Sequence, residues 1–356
     1  MIYREAGLYR STYAADMAIF PLPLDRIAVG VVVVAAAGVI PFVASGYLLK
    51  GLLIPTLAYA LAAIGLNILT GYAGQLSLGH AAFMAVGAYG AVIAYGRYGW
   101  PLLASFLVGG LAAAAVGAVV GLPSLRIKGF YLAVTTLAVQ YIVEWGITHV
   151  RWIGGGVYAT IDVPDLALLG VPLDTGPRKY LLCLATVVVL TVFAKNLVRT
   201  RVGRAWMAIR DRDVAAEIMG IGLLRYKMLA FVVSSFYAGV AGALISFCFY
   251  QAANIEEYTL TISIRVLGMI IIGGMGSILG SYLGAAFVVL LPIAISNAMV
   301  AVGRVSGGLV ATDVRANAEL VIFGGLILFF LIVEPLGLAR LWKTLKDYLR
   351  LWPFPY

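Results

Sequence analysis

Residues 102–122 read Leu-Leu-Ala-Ser-Phe-Leu-Val-Gly-Gly-Leu-Ala-Ala-Ala-Ala-Val-Gly-Ala-Val-Val-Gly-Leu, without one charged side chain. A helix rises ~1.5 Å per residue, so a run of this length crosses the ~30 Å hydrocarbon core of a bilayer. Only lipid or a deep protein interior tolerates such a helix, and composition decides between them. Apolar residues make up 63% of the 356-residue chain and charged residues 12%, where a soluble domain carries about one quarter charged. A chain this long could bury a large soluble core, but so few charges cannot clothe it. The mean hydropathy of +1.01 makes lipid the main solvent.

Outward from that run, ten apolar segments are long enough to read as spans: 27–45, 51–69, 80–96, 102–122, 129–148, 180–196, 228–250, 264–279, 282–302 and 318–334. The expected fold is an all-α polytopic bundle. Its membrane domain covers 27–338, between an N-terminal segment 1–26 and a basic tail 339–356. The first segment mixes Arg4, Glu5, Arg10, Asp16, Asp25 and Arg26, and the run after it exceeds a signal-peptide core. It reads as a first span that is retained.

Charge sets the orientation. Residues 195–227 hold Lys195, Arg199, Arg201, Arg204, Arg210, Arg212, Arg225 and Lys227 against Asp211, Asp213 and Glu217. Basic loops stay in the cytoplasm. The tail carries Arg340, Lys343, Lys346 and Arg350 against Asp347, and Arg126 and Lys128 mark another inner loop. With ten spans and both termini cytoplasmic, 123–128, 197–227 and the tail all fall inside. The charge-balanced segment 149–179 and Glu256–Glu257 fall outside. Dropping one span would put a basic block on the wrong side.

The net charge of +9 invites a nucleic-acid reading, but the basic residues lie between apolar blocks rather than on one polar face. Topology accounts for them. Cys183 and Cys248 fall near the outer ends of consecutive spans, with no CxxC or Cys/His cluster. They offer no metal site, and whether they are bonded stays open.

Two inner hairpins are rich in glycine: Gly71-Tyr72-Ala73-Gly74-Gln75-Leu76-Ser77-Leu78-Gly79 and Gly273-Gly274-Met275-Gly276-Ser277-Ile278-Leu279-Gly280. Such clusters mark broken helices in transporters, tight turns or close helix contacts. Their likeness raises the idea of two sets of five spans. Asn67, Gln75, Ser77 and His80 interrupt an apolar stretch, and polar groups at membrane depth must be paired or face a water-filled cavity. The hairpin is thus either a gate or a hydrogen-bonded turn. Within 129–148, Thr136, Gln140 and Glu144 lie four apart on one helical face, lining a path or bonding neighbouring helices. Arg265, Lys50 and Glu334 read as interfacial anchors.

In the inner loop, Trp206, Ile209, Val214, Ile218 and Ile221 recur at roughly helical spacing, with Gly220 and Gly222 as stops. This predicts one or two short amphipathic helices. They either lie flat in the headgroups or dock a cytoplasmic partner, and the mixed Asp/Arg charge favours docking.

Catalytic motifs are missing: no Walker A, no nucleophile elbow, no HExxH. A membrane-embedded enzyme would need such a cluster. An ion-coupled secondary transporter would need a charge near mid-membrane, and no span carries one deep inside.

At these residues the chain resembles the permease subunits of bacterial branched-chain amino acid ABC importers, the LivM type. The motifs in order are GLNILTGYAGQLSLGHAAFMAVGAY from Gly65, LPSLRIKGFYLAVTTLA from Leu122, GRAWMAIRDRDVAAEIMGIGLLRYKMLAF from Gly203, IIIGGMGSILGSYLGAAF from Ile270 and EPLGLA from Glu334. The likeness covers about residues 50–340. It implies a type II-like importer fold in the bacterial inner membrane. It also implies a second, LivH-like permease, two cytoplasmic ATPases and a periplasmic solute-binding protein. ATP and Mg would sit on the partners, and this chain would hold no cofactor or metal and catalyse nothing. The likeness assigns ATPase docking to 197–227, with Arg204, Arg210, Asp211, Asp213, Ala216, Glu217 and Gly220. Candidates for the translocation path are Asn67, Gly71, Gly74, Gln75, Ser77, His80, Thr136, Gln140, Gly273, Gly274 and Gly276.

Two departures bear on the solute. Ile153-Gly154-Gly155-Gly156-Val157-Tyr158 replaces a Gly-Gly-Pro-Asn-Gly turn, and QYIVE at 140–144 replaces a GEIVR-like pattern. Related systems carry urea, short amides or aromatic acids, so branched-chain amino acids are the default solute. The residues that touch it, and whether the permease pair is homo- or heteromeric, stay open.

Overall fold

The computed structural model describes residues 23–124, 129–154, 159–168, 170–305 and 337–351, with Val321, Ile322, Gly324, Gly325, Leu328, Phe329 and Ile332 between them. The calls on Arg126, Lys128, Gly155–Tyr158, Glu334, the segment 1–22 and most of the expected span 318–334 lie outside the described residues.

The helices in chain order are α1 Pro23–Gly38, α2 Ile54–Asn67, α3 His80–Gly96, α4 Leu102–Ser124, α5 Phe130–His149, α6 Gly176–Arg199, α7 Arg201–Asp211, α8 Asp213–Ile218, α9 Leu223–Leu244, α10 Leu260–Gly273, α11 Ile278–Val305 and α12 Gly337–Leu351. Prolines sit in the first turns of α2 and α6, where a missing N–H costs nothing. π-helical turns extend α2 at both ends, to Leu48–Tyr72, and α9 to Tyr250.

Among the described residues, six helical stretches are long and apolar enough to cross a membrane: Arg26–Val43, Leu48–Tyr72, Leu102–Leu122, Gly176–Arg199, Leu223–Tyr250 and Ile278–Ala298. The expected spans at 80–96 and 129–148 are helices too, but not of that kind, and the one expected at 264–279 is cut, since α10 ends at Gly273 and α11 begins at Ile278. α10 has 14 residues and α3 has 17. At ~1.5 Å per residue they reach ~21 and ~26 Å, short of the ~30 Å core. α3 is buried almost throughout, packed by α4 and α9. Protein rather than lipid is its solvent, so the length rule for a lone span does not bind it.

α9 lies at the centre, against α4, α3 and α2. Three glycines make that crossing possible. A Cβ on Gly239 of α9 would stand 2.9 Å from the Gly109 carbonyl of α4, and one on Gly87 of α3 would run into Gly239 itself. Small residues let backbones approach where lipid offers no hydrophobic drive. α1 is the opposite case: Val31, Val34 and Phe42 beside it are exposed, and it packs on little.

The all-α expectation needs one correction. Four short strands, β1 Thr160–Asp162, β2 Ala167–Leu168, β3 Val171–Pro172 and β4 Ala252–Asn254, form two antiparallel pairs. β1 pairs with β4, matching Ile161 to Ala253, and β2 pairs with β3. These pairings give backbone groups in the connecting loops their partners. The strap ties the segment after α5 to the end of α9. Cys183 and Cys248 are both buried and both free thiols.

Candidate functional site: a glycine junction and the helices beneath it

The two glycine hairpins meet. Asn67, at the end of α2, donates from Nδ2 to the Ser277 carbonyl at 2.8 Å and to Ser281 Oγ at 2.9 Å. Its Oδ1 accepts the Gly276 N–H at 2.8 Å. The side chain is buried and fully bonded, a pin between hairpins far apart in sequence. Any Cβ on Gly71 would run into Asn67 and the Gly276 backbone. Gly273 and Gly274 are buried in the second hairpin, where Gly337 at the start of α12 packs against Gly274. Gly74, Gly274, Gly276 and Gly337 all have positive φ, a region that L side chains avoid.

Arg210 enters this junction from below. Its Nη1 donates to the Gly71 carbonyl at 2.8 Å. A Cβ on Gly74 would stand 3.0 Å from Arg210 Cγ, and one on Gly276 would stand 3.2 Å from its Nη1. Asp211 pairs with the same guanidinium at 3.0 Å. Its guanidinium thus bonds the first hairpin and lies beside Gly276 of the second.

The helices that carry it are built locally. Thr200 caps α7, its Oγ1 accepting the Val202 N–H at 3.2 Å. Trp206 is wholly buried and donates from Nε1 to the Tyr226 carbonyl at 2.8 Å, pinning α7 to the start of α9. Ala205 and Ile209 are buried beside it. Arg212 is extended and breaks the helix, so α8 runs separately from Asp213. Gly220 ends α8 at φ 83°, with the Ile221 N–H on the Ala216 carbonyl and the Gly220 N–H on the Glu217 carbonyl. That is a Schellman stop, so Gly220 shapes the helix end. Ala216 is buried and Asp213 half-buried, 4.0 Å from Lys227 Nζ. Arg204, Asp211 and Glu217 are exposed. Beside Glu217, Val214, Ile218 and Met219 stand 61%, 83% and 70% exposed.

A second polar cluster lies above the first hairpin. Thr136 Oγ1 accepts the Leu78 N–H at 2.9 Å, and His80 Nε2 bonds the Ala62 carbonyl at 2.9 Å. Gln140 Nε2 donates to the Tyr258 carbonyl at 2.7 Å, and its Oε1 faces Ser263 Oγ at 3.4 Å. Ser263 in turn accepts the Ala81 N–H at 2.8 Å. Thr136 thus bonds the loop before α3 and Gln140 the turn Ile255–Tyr258 before α10; Glu144 is half-buried near the other end of α5. Three groups in the hairpin stay unmatched. Both side-chain polar atoms of Gln75, the Ser77 hydroxyl and His80 Nδ1 are buried with no hydrogen-bond partner in the protein. An unmet buried polar group costs ~1–3 kcal/mol.

Sequence reasoning missed Ser263, Ser277, Ser281 and Tyr258. Ser277 and Ser281 are four apart and face Asn67, a spacing visible in the second hairpin motif. No group of three or more metal-ligating side chains occurs among the described residues.

A helical bundle with six stretches long and apolar enough to cross a membrane, joined at a glycine junction, is the architecture of a polytopic membrane protein. The chain belongs to the family described as branched-chain amino acid transport system / permease component, whose pattern covers residues 48–331. It is therefore a multi-pass protein of the inner membrane. It is 32% identical over 258 residues to the high-affinity branched-chain amino acid transport system permease protein LivM of Escherichia coli K12, covering 66% of this chain and 60% of that one. The corresponding protein of Salmonella typhimurium LT2 is 31% identical over the same shares. The autoinducer 2 import system permease protein LsrC of Klebsiella pneumoniae is 30% identical over 184 residues, 51% of each chain. The matched part spans about 60% of the length of the two LivM relatives. No solved structure matches the chain.

Proposed function

We propose that this chain is the membrane permease of an ATP-driven importer for branched-chain amino acids. It builds half of a translocation path, and a second, LivH-like permease builds the other half. A periplasmic binding protein delivers the solute, and two cytoplasmic ATPases, which carry ATP and Mg, dock from below. The chain itself catalyses no reaction. Ten spans with both termini in the cytoplasm satisfy every charged loop, and they put α7, α8 and α12 on the ATPase side.

One observation carries this reading. α8 exposes Val214, Ile218 and Met219 beside Glu217, while the neighbouring Arg210 is bonded into the junction of both hairpins. A contiguous exposed apolar patch with a charged rim fits a protein partner. A push on α8 then passes through α7 and Arg210 to Gly71 and Gly276, where backbones touch without side chains between them. The unmatched groups of Gln75, Ser77 and His80 border the moving hairpin, and water or solute in the path satisfies them.

The relative named for autoinducer 2 import favours one alternative, a different small polar solute carried by the same machinery. Uptake of radiolabelled leucine in proteoliposomes tests the reading, with and without the ATPase chains. Uptake should need ATP and the ATPases. Uptake driven by a proton gradient alone would overturn it.

A further inference from the structure

α12 is seated on the bundle by its first turn. A Cβ on Gly337 would stand 2.5 Å from the backbone nitrogen of Gly274, so the helix starts directly on the second hairpin. Leu338 packs against the core, and the helix touches α10 and α11. Past that turn the same apolar face runs on. Leu341, Trp342, Leu345 and Tyr348 fall on one side of a helix, and they stand 47%, 51%, 49% and 62% exposed. Across the helix lie Arg340 and Lys343, both exposed, and Lys346, half-buried. Asp347 is the single acidic residue of α12.

Three features say what covers the stripe. The first is place. α12 begins where α10 ends and α11 starts, and α11 carries a stretch long and apolar enough to cross a membrane. The stripe therefore leaves the protein at the end of a span, where a bilayer surface lies beside it. The second is charge. The rim of α8 carries both signs, in Asp211, Asp213 and Glu217 against Arg210 and Arg212, whereas that of α12 is basic but for Asp347. A basic rim around an apolar stripe matches anionic headgroups. The third is residue type and length. Trp342 and Tyr348 are the side chains that favour the membrane–water boundary. The 15 residues of α12 reach only ~22 Å, short of the ~30 Å core, so the helix lies on a bilayer rather than across it.

We propose that α12 lies along the membrane surface, its Leu341–Tyr348 stripe set among the headgroups and its basic side held by anionic phospholipid. Through Gly337 and Gly274 the second hairpin is then moored to the bilayer surface. The proposal needs the membrane domain, but neither a particular solute nor the ATPases.

The test is spin labelling of the full chain in nanodiscs of phosphatidylcholine, with and without phosphatidylglycerol, and without partner chains. Cys183 and Cys248 are buried, so labels can be set on Leu345→Cys and on Asp347→Cys, which points the other way. With phosphatidylglycerol present, the Leu345→Cys label should meet lipid-dissolved oxygen and escape a water-soluble nickel complex. The Asp347→Cys label should do the reverse. Arg340→Gln and Lys343→Gln change exposed residues and keep the fold. Each should shift the ratio of embedded to released Leu345→Cys label about fivefold toward water, since ~1 kcal/mol per basic residue at an anionic surface is a factor of about five. Added salt should shift it the same way. A label open to nickel in both membranes overturns the proposal, as does embedding that ignores phosphatidylglycerol and both variants. So does a label hidden from both reagents, or one that becomes hidden only when ATPase is added, since protein would then cover the stripe. Each of these outcomes leaves the importer reading intact, because that reading stands or falls on ATP-driven uptake.

Discussion

α7 and α8 are neighbours of similar amphipathic character, separated by the single extended residue Arg212. Their apolar sides meet different fates. Trp206 and Ile209 of α7 are buried against the membrane domain, and Arg210 reaches its backbone. Val214 and Ile218 of α8 face outward. The difference teaches that amphipathicity alone does not say what a helix packs on. α7 is a part of this chain's own fold. α8 leaves its apolar side exposed, and the break at Arg212 lets the two faces point differently.

The contrast breaks most visibly through the buried member. Trp206→Ala should cost ~3–5 kcal/mol of local stability, because it empties a buried site and leaves the Tyr226 carbonyl without its donor. Limited proteolysis should then cut between Arg201 and Arg212. An unchanged cleavage pattern would mean that Trp206 does not hold α7 in place. Arg210→Ala should keep the fold and instead lower solute moved per ATP by about tenfold, because charge-assisted bonds of ~1.5–3 kcal/mol are lost at the junction. Arg210→Lys should recover part of it. If transport per ATP stays at the wild-type level, α7 does not drive the hairpins.

The outward member predicts the opposite pattern. Ile218→Asp should leave thermal stability within ~0.5 kcal/mol, as exposed substitutions do. It should weaken ATPase association by about tenfold, the ~1.4 kcal/mol or more that an interface anchor carries. Pull-down with purified ATPase checks this. Full association would assign the patch to lipid headgroups rather than to a partner.

Much of this contrast was invisible locally. Trp206, Ile209, Val214, Ile218 and Ile221 read as one stripe at helical spacing, and only the extended Arg212 divides it. The existence of the helices was legible from the apolar spacing and from Gly220 as a stop, because such stops are short-range chemistry; the Thr200 cap went unread. The lipid-facing spans were legible for a similar reason: lipid demands unbroken apolar runs. α3 fell short of a span's length because protein surrounds it, and protein makes no such demand. The polar residues of the hairpins stood out, but their partners did not. Asn67 meets Ser281 across 214 positions, a pairing no local pattern encodes. The strap β1–β4 is three residues deep and hid inside loops.

The smallest effect offers the finest test of whether α7 and α8 are independent. Thr200 caps α7 through the Val202 N–H, and its own hydroxyl donates to the Leu197 carbonyl at 2.7 Å. Thr200→Ala removes both and should cost ~1 kcal/mol, within the ~0.5–2 range for lost caps. α8 starts at Arg212 with no side-chain cap, so it has nothing of this kind to lose. Amide exchange should therefore quicken about fivefold in the first turn of α7, since ~1 kcal/mol is a factor of about five. Exchange in α8 should not change, because α8 ends on its own glycine stop and leans on α9 through the Asp213–Lys227 pair. Equal quickening in both would mean that they fray as one unit. A push on α8 would then be absorbed by fraying before it reached Arg210, and the junction would need another route to the ATPase.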